Sequence, residues 1–287
     1  MVQRIGAMGW ERDLPDFRDY SRDTPKVKEV LDKSKAMKAA KKKTPTKVDL
    51  REWCPPIEDQ GQLGSCTANA GVGLLEYFQR RAFNKYLDGS RIFLYKATRN
   101  LLGWTGDEGA YLRSTMQAMV LFGVPPEKYW AYDIAKFDEE PPNFCYAFAQ
   151  NYKTVQYFRL DPAGMPTTSV LQHVKENLAA KLPCMFGFSV YSSIPGTGTG
   201  SGDIPFPGAN DSLEGGHAVV AVGYDDTKKI GSEKGALLIR NSWGTEWGEE
   251  GYGYLPYAYV TRGVAVDFWS LVRAEFVDTD LFRENGD

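Results

Sequence analysis

The spacing of apolar positions changes character partway along the chain. Over residues 66–85 (CTANAGVGLLEYFQRRAFNK), Ala70, Leu74, Leu75 and Phe78 recur at intervals that put them on one helical face. Residues 111–122 carry a second helical pattern, stopped by Gly123 and the Pro125-Pro126 pair. Residues 168–181 carry a third, ended at Leu182-Pro183. Beyond Pro183 the period shortens to two, and residues 184–190, 217–224, 236–241, 251–255 and 268–277 read as strands. Helices first and strands second predict an α+β protein of two lobes with a cleft between them.

The start of the chain reads differently. Trp10, Leu14 and Phe17 form a small apolar group among charges, and residues 26–43 read as one short basic helix ended by Thr44-Pro45-Thr46. Such a segment has too little apolar surface to fold alone. Residues 1–46 are therefore expected to be an N-terminal extension, and residues 47–287 the main domain. The helical lobe would span about 60–150, and the β lobe about 151–287 plus the domain's start. The basic stretch 33–47 reads as a solvated, cleavage-prone connector. The Gly-rich run 196–203 lacks a Lys-Ser/Thr ending and opens no helix, so it is expected to be a flexible surface loop, not a phosphate cradle.

Composition narrows the class. The 287 residues are 43% hydrophobic and 25% charged, with a net charge of −3, which argues for an ordinary globular protein and against a nucleic-acid binder. No apolar run reaches the roughly 20 residues that span a bilayer, and no apolar signal region is visible at the N-terminus. A cytoplasmic or unconventionally exported protein, or one whose signal lies elsewhere, fits equally. The four cysteines are Cys54, Cys66, Cys145 and Cys184.

Cys66 carries the chemistry. It follows the Gly/Gln-rich turn DQGQLGS and opens a helix, where the macrodipole favours thiolate over thiol. Gln60 offers an amide donor six residues upstream. Of the two histidines, His173 lies mid-helix among polar neighbours and reads as a solvated surface residue. His217 follows two glycines that allow close approach of a substrate. With Asn241, these are the residue types needed to attack a carbonyl: nucleophile, base, orienting amide and oxyanion donor.

Three motifs, QGQLGSCTA, GGHAVVAVGY and RNSWGTEWGEEGY, stand in the order Gln, Cys, His, Asn. On them the chain resembles the papain-like cysteine peptidases across residues 47–260. Thr67 in place of the usual tryptophan is similar to the bacterial branch typified by xylellain. The resemblance implies a two-lobed papain-like fold, its nucleophile helix packed against a β-barrel-like lobe. It implies a thiol protease that hydrolyses peptide bonds through a thioester on Cys66, without metal or cofactor. In that reading Cys66 and His217 rest as a thiolate–imidazolium pair, Asn241 orients the imidazole, Gln60 holds the oxyanion, and Trp243 shields the His–Asn hydrogen bond. Gly109 and Ala110 match positions that bind an extended peptide backbone. Leu112, Gly187 and Gly215 match the pocket for the second side chain before the cut, with Gly216 beside them. Leu63 stands where secreted relatives have a bridging cysteine, so that disulfide is absent and Leu63 must pack instead. Residues 1–46 would be an inhibitory pro-segment lying in the cleft of a monomeric zymogen. A silent peptide-binding relative, or an acyltransferase or peptide ligase, would carry the same motifs.

Overall fold

The computed structural model describes residues 6–152, 156–198 and 200–272. A short strand, β1 (Trp10–Glu11), is followed by helices α1 (Pro25–Lys33) and α2 (Lys35–Lys42), then β2 (Lys47–Asp49). The helical lobe comprises α3 (Cys66–Phe83), α4 (Arg91–Leu102), a two-residue strand β3 (Ala110–Tyr111), α5 (Leu112–Leu121) and α6 (Asn143–Ala149). The sheet lobe adds β4 (Gln156–Arg159), α7 (Thr167–Ala179), β5 (Cys184–Tyr191), β6 (Leu213–Ile230), β7 (Glu233–Arg240), β8 (Tyr252–Pro256), α8 (Tyr257–Thr261) and β9 (Ala265–Val272).

Local chemistry sets the helix ends. α3 stops at Asn84, which takes the left-handed conformation that asparagine tolerates. Ser90 caps α4 by accepting the Phe93 N–H, and Gly103 ends it in the left-handed region. The main sheet runs β4-β9-β5-β6-β7-β8. The 18-residue β6 pairs with β5 over its first half, and β2 takes over at Gly223–Asp225. Leu74, Leu75 and Phe78 of α3 are buried in one core with Phe186, Val220 and Leu238 of the sheet, so the helix packs on the strands as the α+β expectation required.

Several expectations need correction. The single basic helix is two, because Ser34 leaves the helical path and caps α2 by accepting the Met37 N–H. α2 is not a solvated connector: Met37 and Ala40 are buried, α2 packs against α7, and Arg22 pairs with Glu176 of α7 at 2.9 Å. Of the three expected apolar anchors only Trp10 is buried, while Leu14 and Phe17 are 70% and 95% exposed. His173 is half-buried rather than solvated, and burial, reinforced by Arg22, pushes its pKa down. The far end of the Gly-rich run is stitched to β8, with the Tyr254 N–H on Gly202 O at 2.8 Å; Thr199 lies outside the described residues. So does any continuation of β9 to residue 277. Helix α4 escaped the periodicity because it is buried nearly all round, Lys96, Thr98 and Arg99 included.

Candidate active site

The start of α3 places Cys66 against the sheet, beside the backbone of Ala218, the neighbour of His217 in β6. Leu63 is buried at the turn before it, and the Gly64 N–H is held by both oxygens of Asp107 at 3.0 and 3.1 Å. Packing and one carboxylate thus fix the turn without a disulfide. All four cysteines are free and buried.

His217 Nε2 lies 2.7 Å from Asn241 Oδ1, which also accepts the Ser242 N–H at 2.8 Å. An oxygen that accepts twice makes Nε2 the protonated nitrogen, leaving Nδ1 of the neutral ring free to take a proton. Nδ1 is buried and has no partner among the described residues. The indole of Trp243 stacks on the imidazole, centroids 4.4 Å apart, and roofs the His–Asn bond. Gln60 is fixed at three points: its Oε1 accepts Ser242 Oγ–H at 2.6 Å, its backbone N–H bonds Ser242 O, and its Nε2 donates to Leu63 O at 2.9 Å.

Residues 6–11 cross this cleft. The Gln60 amide also donates to Ala7 O at 3.0 Å, and Trp243 Nε1 to the same oxygen at 3.2 Å. The Gly9 N–H bonds Gly216 O at 3.1 Å, and the Ala110 N–H bonds Gly9 O at 2.9 Å, so the segment is pinned to both lobes. A Cβ at Gly9 would land on the carbonyl of Gly64. β1 pairs with β3 in parallel, Trp10 opposite Ala110. The Trp10 ring fills a pocket over Gly187 and Gly216, where any Cβ would clash with it, and its indole N–H donates to Asp267 Oδ2 at 3.2 Å. Met8 covers Gly215, and Gly6 lies against Trp243.

Of the residues expected at the site, Cys66, His217, Asn241, Gln60, Gly109, Ala110, Gly187, Gly215, Gly216 and Trp243 surround this one segment, and Leu112 is buried at the start of α5. Two contributors were missed. Ser242 fixes Gln60, and it lay in plain view inside the RNSWG motif. Asp267 closes the Trp10 pocket, and nothing in its local sequence marks it. Its burial raises its pKa to about 6 against the opposing pull of Arg159 at 3.2 Å.

With the segment in place, Cys66 and His217 are both fully enclosed. Burial pushes the thiol up to about 12, against the pull of the Ala218, Gly9, Thr67 and Cys66 backbone groups. It pushes the imidazole down to about 4, against the Asn241 hydrogen bond. Burial of both groups thus works against the expected thiolate–imidazolium pair while the cleft is covered.

Comparison with known proteins identifies the family. The papain family cysteine protease description matches residues 44–265. An uncharacterised peptidase C1-like protein of Acanthamoeba polyphaga mimivirus is 36% identical over 216 residues, 74% of this chain and 68% of that protein. Cathepsin K of Gallus gallus is 31% identical over 219 residues, 73% of this chain and 58% of that protein. The crystal structure of xylellain, a cysteine protease from Xylella fastidiosa, superposes with a TM-score of 0.75 at 36% identity, covering 95% of this chain and 99% of that one. The match spans most of the chain, and the chain belongs to the papain family of cysteine proteases.

Proposed function

We propose that the protein is a cysteine endopeptidase with Cys66 as nucleophile, His217 as acid and base, Asn241 as the group that orients the imidazole, and Gln60 with the Cys66 backbone N–H as oxyanion donors. The observation that carries this reading is the Gln60 amide donating to a peptide carbonyl, Ala7 O, inside the cleft. The donor for a developing oxyanion is already aimed at a peptide.

The chemistry follows. Once the cleft opens, water and substrate dipoles lower the cost of charge, and the proton of Cys66 passes to His217 Nδ1. The thiolate attacks the scissile carbonyl, and each oxyanion donor contributes about 3 kcal/mol at the tetrahedral stage. His217 gives its proton to the leaving amine, then takes one from the water that hydrolyses the thioester. Gly109 and Ala110 bind the backbone of residues before the cut, and the pocket of Leu112, Gly187, Gly215 and Gly216 takes the second side chain before it.

Residues 6–11 inhibit this site by occupying it in the opposite sense. A substrate enters with its earlier residues at Gly109 and its later ones toward Trp243. The segment has Gly6 at Trp243 and Trp10 at Ala110, which reverses every carbonyl and amide relative to the nucleophile. It binds without offering a cleavable bond, and being tethered it does so at high effective concentration.

The test combines a thiol-directed peptidyl epoxide with turnover. Protein freed of residues 6–11 should be labelled once, at Cys66, and should hydrolyse a peptide amide; Cys66→Ala should do neither, losing several orders of magnitude in rate while keeping its fold. Labelling of Cys66 without any hydrolysis would refute the peptidase reading.

A further inference from the structure

The family match begins at residue 44, which would make everything before it a removable pro-segment. The structure divides that stretch elsewhere. Residues 6–11 lie in the cleft on five side-chain and backbone hydrogen bonds and one aromatic ring. From Asp19 onward the chain is built into the body. The Arg159 N–H of β4 donates to Tyr20 O at 2.7 Å, so the segment extends the main sheet past its edge. Asp19 pairs with Arg113 at 2.8 Å and with Arg159 at 3.5 Å. Val27, Leu31, Met37 and Ala40 are all buried in the main core, and the Tyr224 hydroxyl of β6 donates to Pro45 O at 2.7 Å.

Between these two parts Arg113 holds the Asp13 carboxylate and the Leu14 carbonyl, residues 16–19 close a local turn, and the side chains around that turn stand out into solvent. Leu14 is 70% exposed and Phe17 95% exposed, while the Arg18 side chain pairs with Asp16, two residues away. No strand or helix includes residues 12–24. A protease cuts exposed chain that can be drawn out, and this stretch has only a local turn to give up, against a packed helix at residues 35–42. The Lys41-Lys42-Lys43 run, which from sequence reads as the place to cut, belongs to α2 or abuts it, where cleavage would require unwinding a packed helix.

We propose that activation cuts the chain between Asp13 and Asp19, releases only the plug ahead of the cut, and leaves residues 19–46 as a permanent clasp of the mature enzyme. This rests on the peptidase reading above and specifies how its site is regulated. The step is hydrolysis of one peptide bond by an endopeptidase, a second, uncovered copy of this chain included: water supplies the hydroxyl of the new carboxylate and a proton of the new amine. The released peptide loses its tether, so its hold falls from an intramolecular to a bimolecular one and dilution clears the cleft. The clasp keeps its carboxylate, Asp19, on Arg113 and Arg159.

The experiment uses the full chain. Full-length protein is treated with a trace of a broad-specificity serine endopeptidase, and aliquots are read for intact mass, for Cys66 alkylation by iodoacetamide and for peptide hydrolysis. The first cut should fall between residues 13 and 19. Cys66 alkylation should rise at least tenfold with that cut, and the fragment from residues 14–19 onward should persist. Alkylation and hydrolysis that appear only after a cut at residues 42–47 would overturn the proposal while leaving the peptidase reading intact. A cut at 13–19 that leaves Cys66 covered after dilution would overturn it as well. Alkylation that rises with the first cut while hydrolysis never does would uphold the plug and sink the peptidase reading instead.

Discussion

Gly9→Ala is the sharpest perturbation of the covered cleft. Gly9 is not among the residues with positive φ, so alanine fits its backbone conformation and only the new methyl group matters. That methyl would lie far closer than 3.0 Å to the Gly64 carbonyl, a backbone atom on the turn that Asp107 holds and that cannot yield like a side chain. The plug must move instead. Moving it breaks the Gly9 N–H bond to Gly216 at 3.1 Å and the Ala110 N–H bond to Gly9 at 2.9 Å, and strains the two bonds that Gln60 and Trp243 make to Ala7. At about 1 kcal/mol net for each hydrogen bond, the closed state loses about 2–4 kcal/mol. At 1.4 kcal/mol per factor of ten, the open population rises roughly 30- to 700-fold. Cys66 alkylation at neutral pH reads that population, because the thiol is enclosed when the plug is in. Full-length Gly9→Ala should be alkylated, and should turn over a peptide amide, faster by that factor, with its intact mass unchanged and its melting temperature within a few degrees of wild type. An alkylation rate within threefold of wild type would refute the claim that steric fit at Gly9 holds the plug.

The other expectations concern the centre itself. His217→Ala in plug-free protein should lower kcat by several orders of magnitude, whereas His173→Ala should leave kcat unchanged and reduce only the melting temperature; equal losses of kcat would contradict the division of roles. Asn241→Ala removes the 2.7 Å bond that fixes the imidazole, worth about 1–3 kcal/mol, so kcat should fall roughly 10- to 100-fold, and a loss as deep as that of Cys66→Ala would assign Asn241 a larger part. The plug should also be acid-sensitive. Burial holds His217 down to about 4, while a solvated imidazole titrates near 6.5, so the closed state keeps its full stability above about pH 6.5 and loses it as pH falls toward 4, by up to tenfold per unit. Hydrogen exchange at residues 6–11 should accelerate accordingly below pH 6, and rates corrected for intrinsic exchange that stay flat from pH 7 to 4.5 would exclude that linkage.

That these residues gather at one candidate site was legible because they sit in three short runs whose chemistry is local. A cysteine after small residues at a helix start, a histidine after two glycines and an asparagine before a tryptophan each announce a constraint. Polar residues whose partners lie far along the chain left no such trace. Asp267 answers to Trp10 across 257 positions, and Arg113 answers to Asp13 and Asp19 across about a hundred. Neither pairing has a period or a neighbouring signal, because the arm that supplies one partner folds back over the body. The arm misled for a related reason. Lys35–Lys42 is basic enough to suggest solvent, yet one turn of Met37 and Ala40 is all α7 needs to bury it. Helix α4 hid behind its own enclosure, since a helix wrapped on all sides has no polar stripe to reveal its period.

The lack of any bridge among the four cysteines reaches into how the molecule can be counted. Cys54, Cys145 and Cys184 are unpaired, buried outside the cleft, and held by their surroundings as unreactive thiols. A solution kept reducing enough to preserve the nucleophile has no structural sulfur–sulfur bond to sever. The native molecule consequently presents either zero reactive sulfurs or one, according to whether six residues lie across the cleft. A chromogenic thiol reagent becomes a gauge of that choice, and its rate of reaction with the folded protein, relative to plug-free protein, gives the fraction of the population that is open.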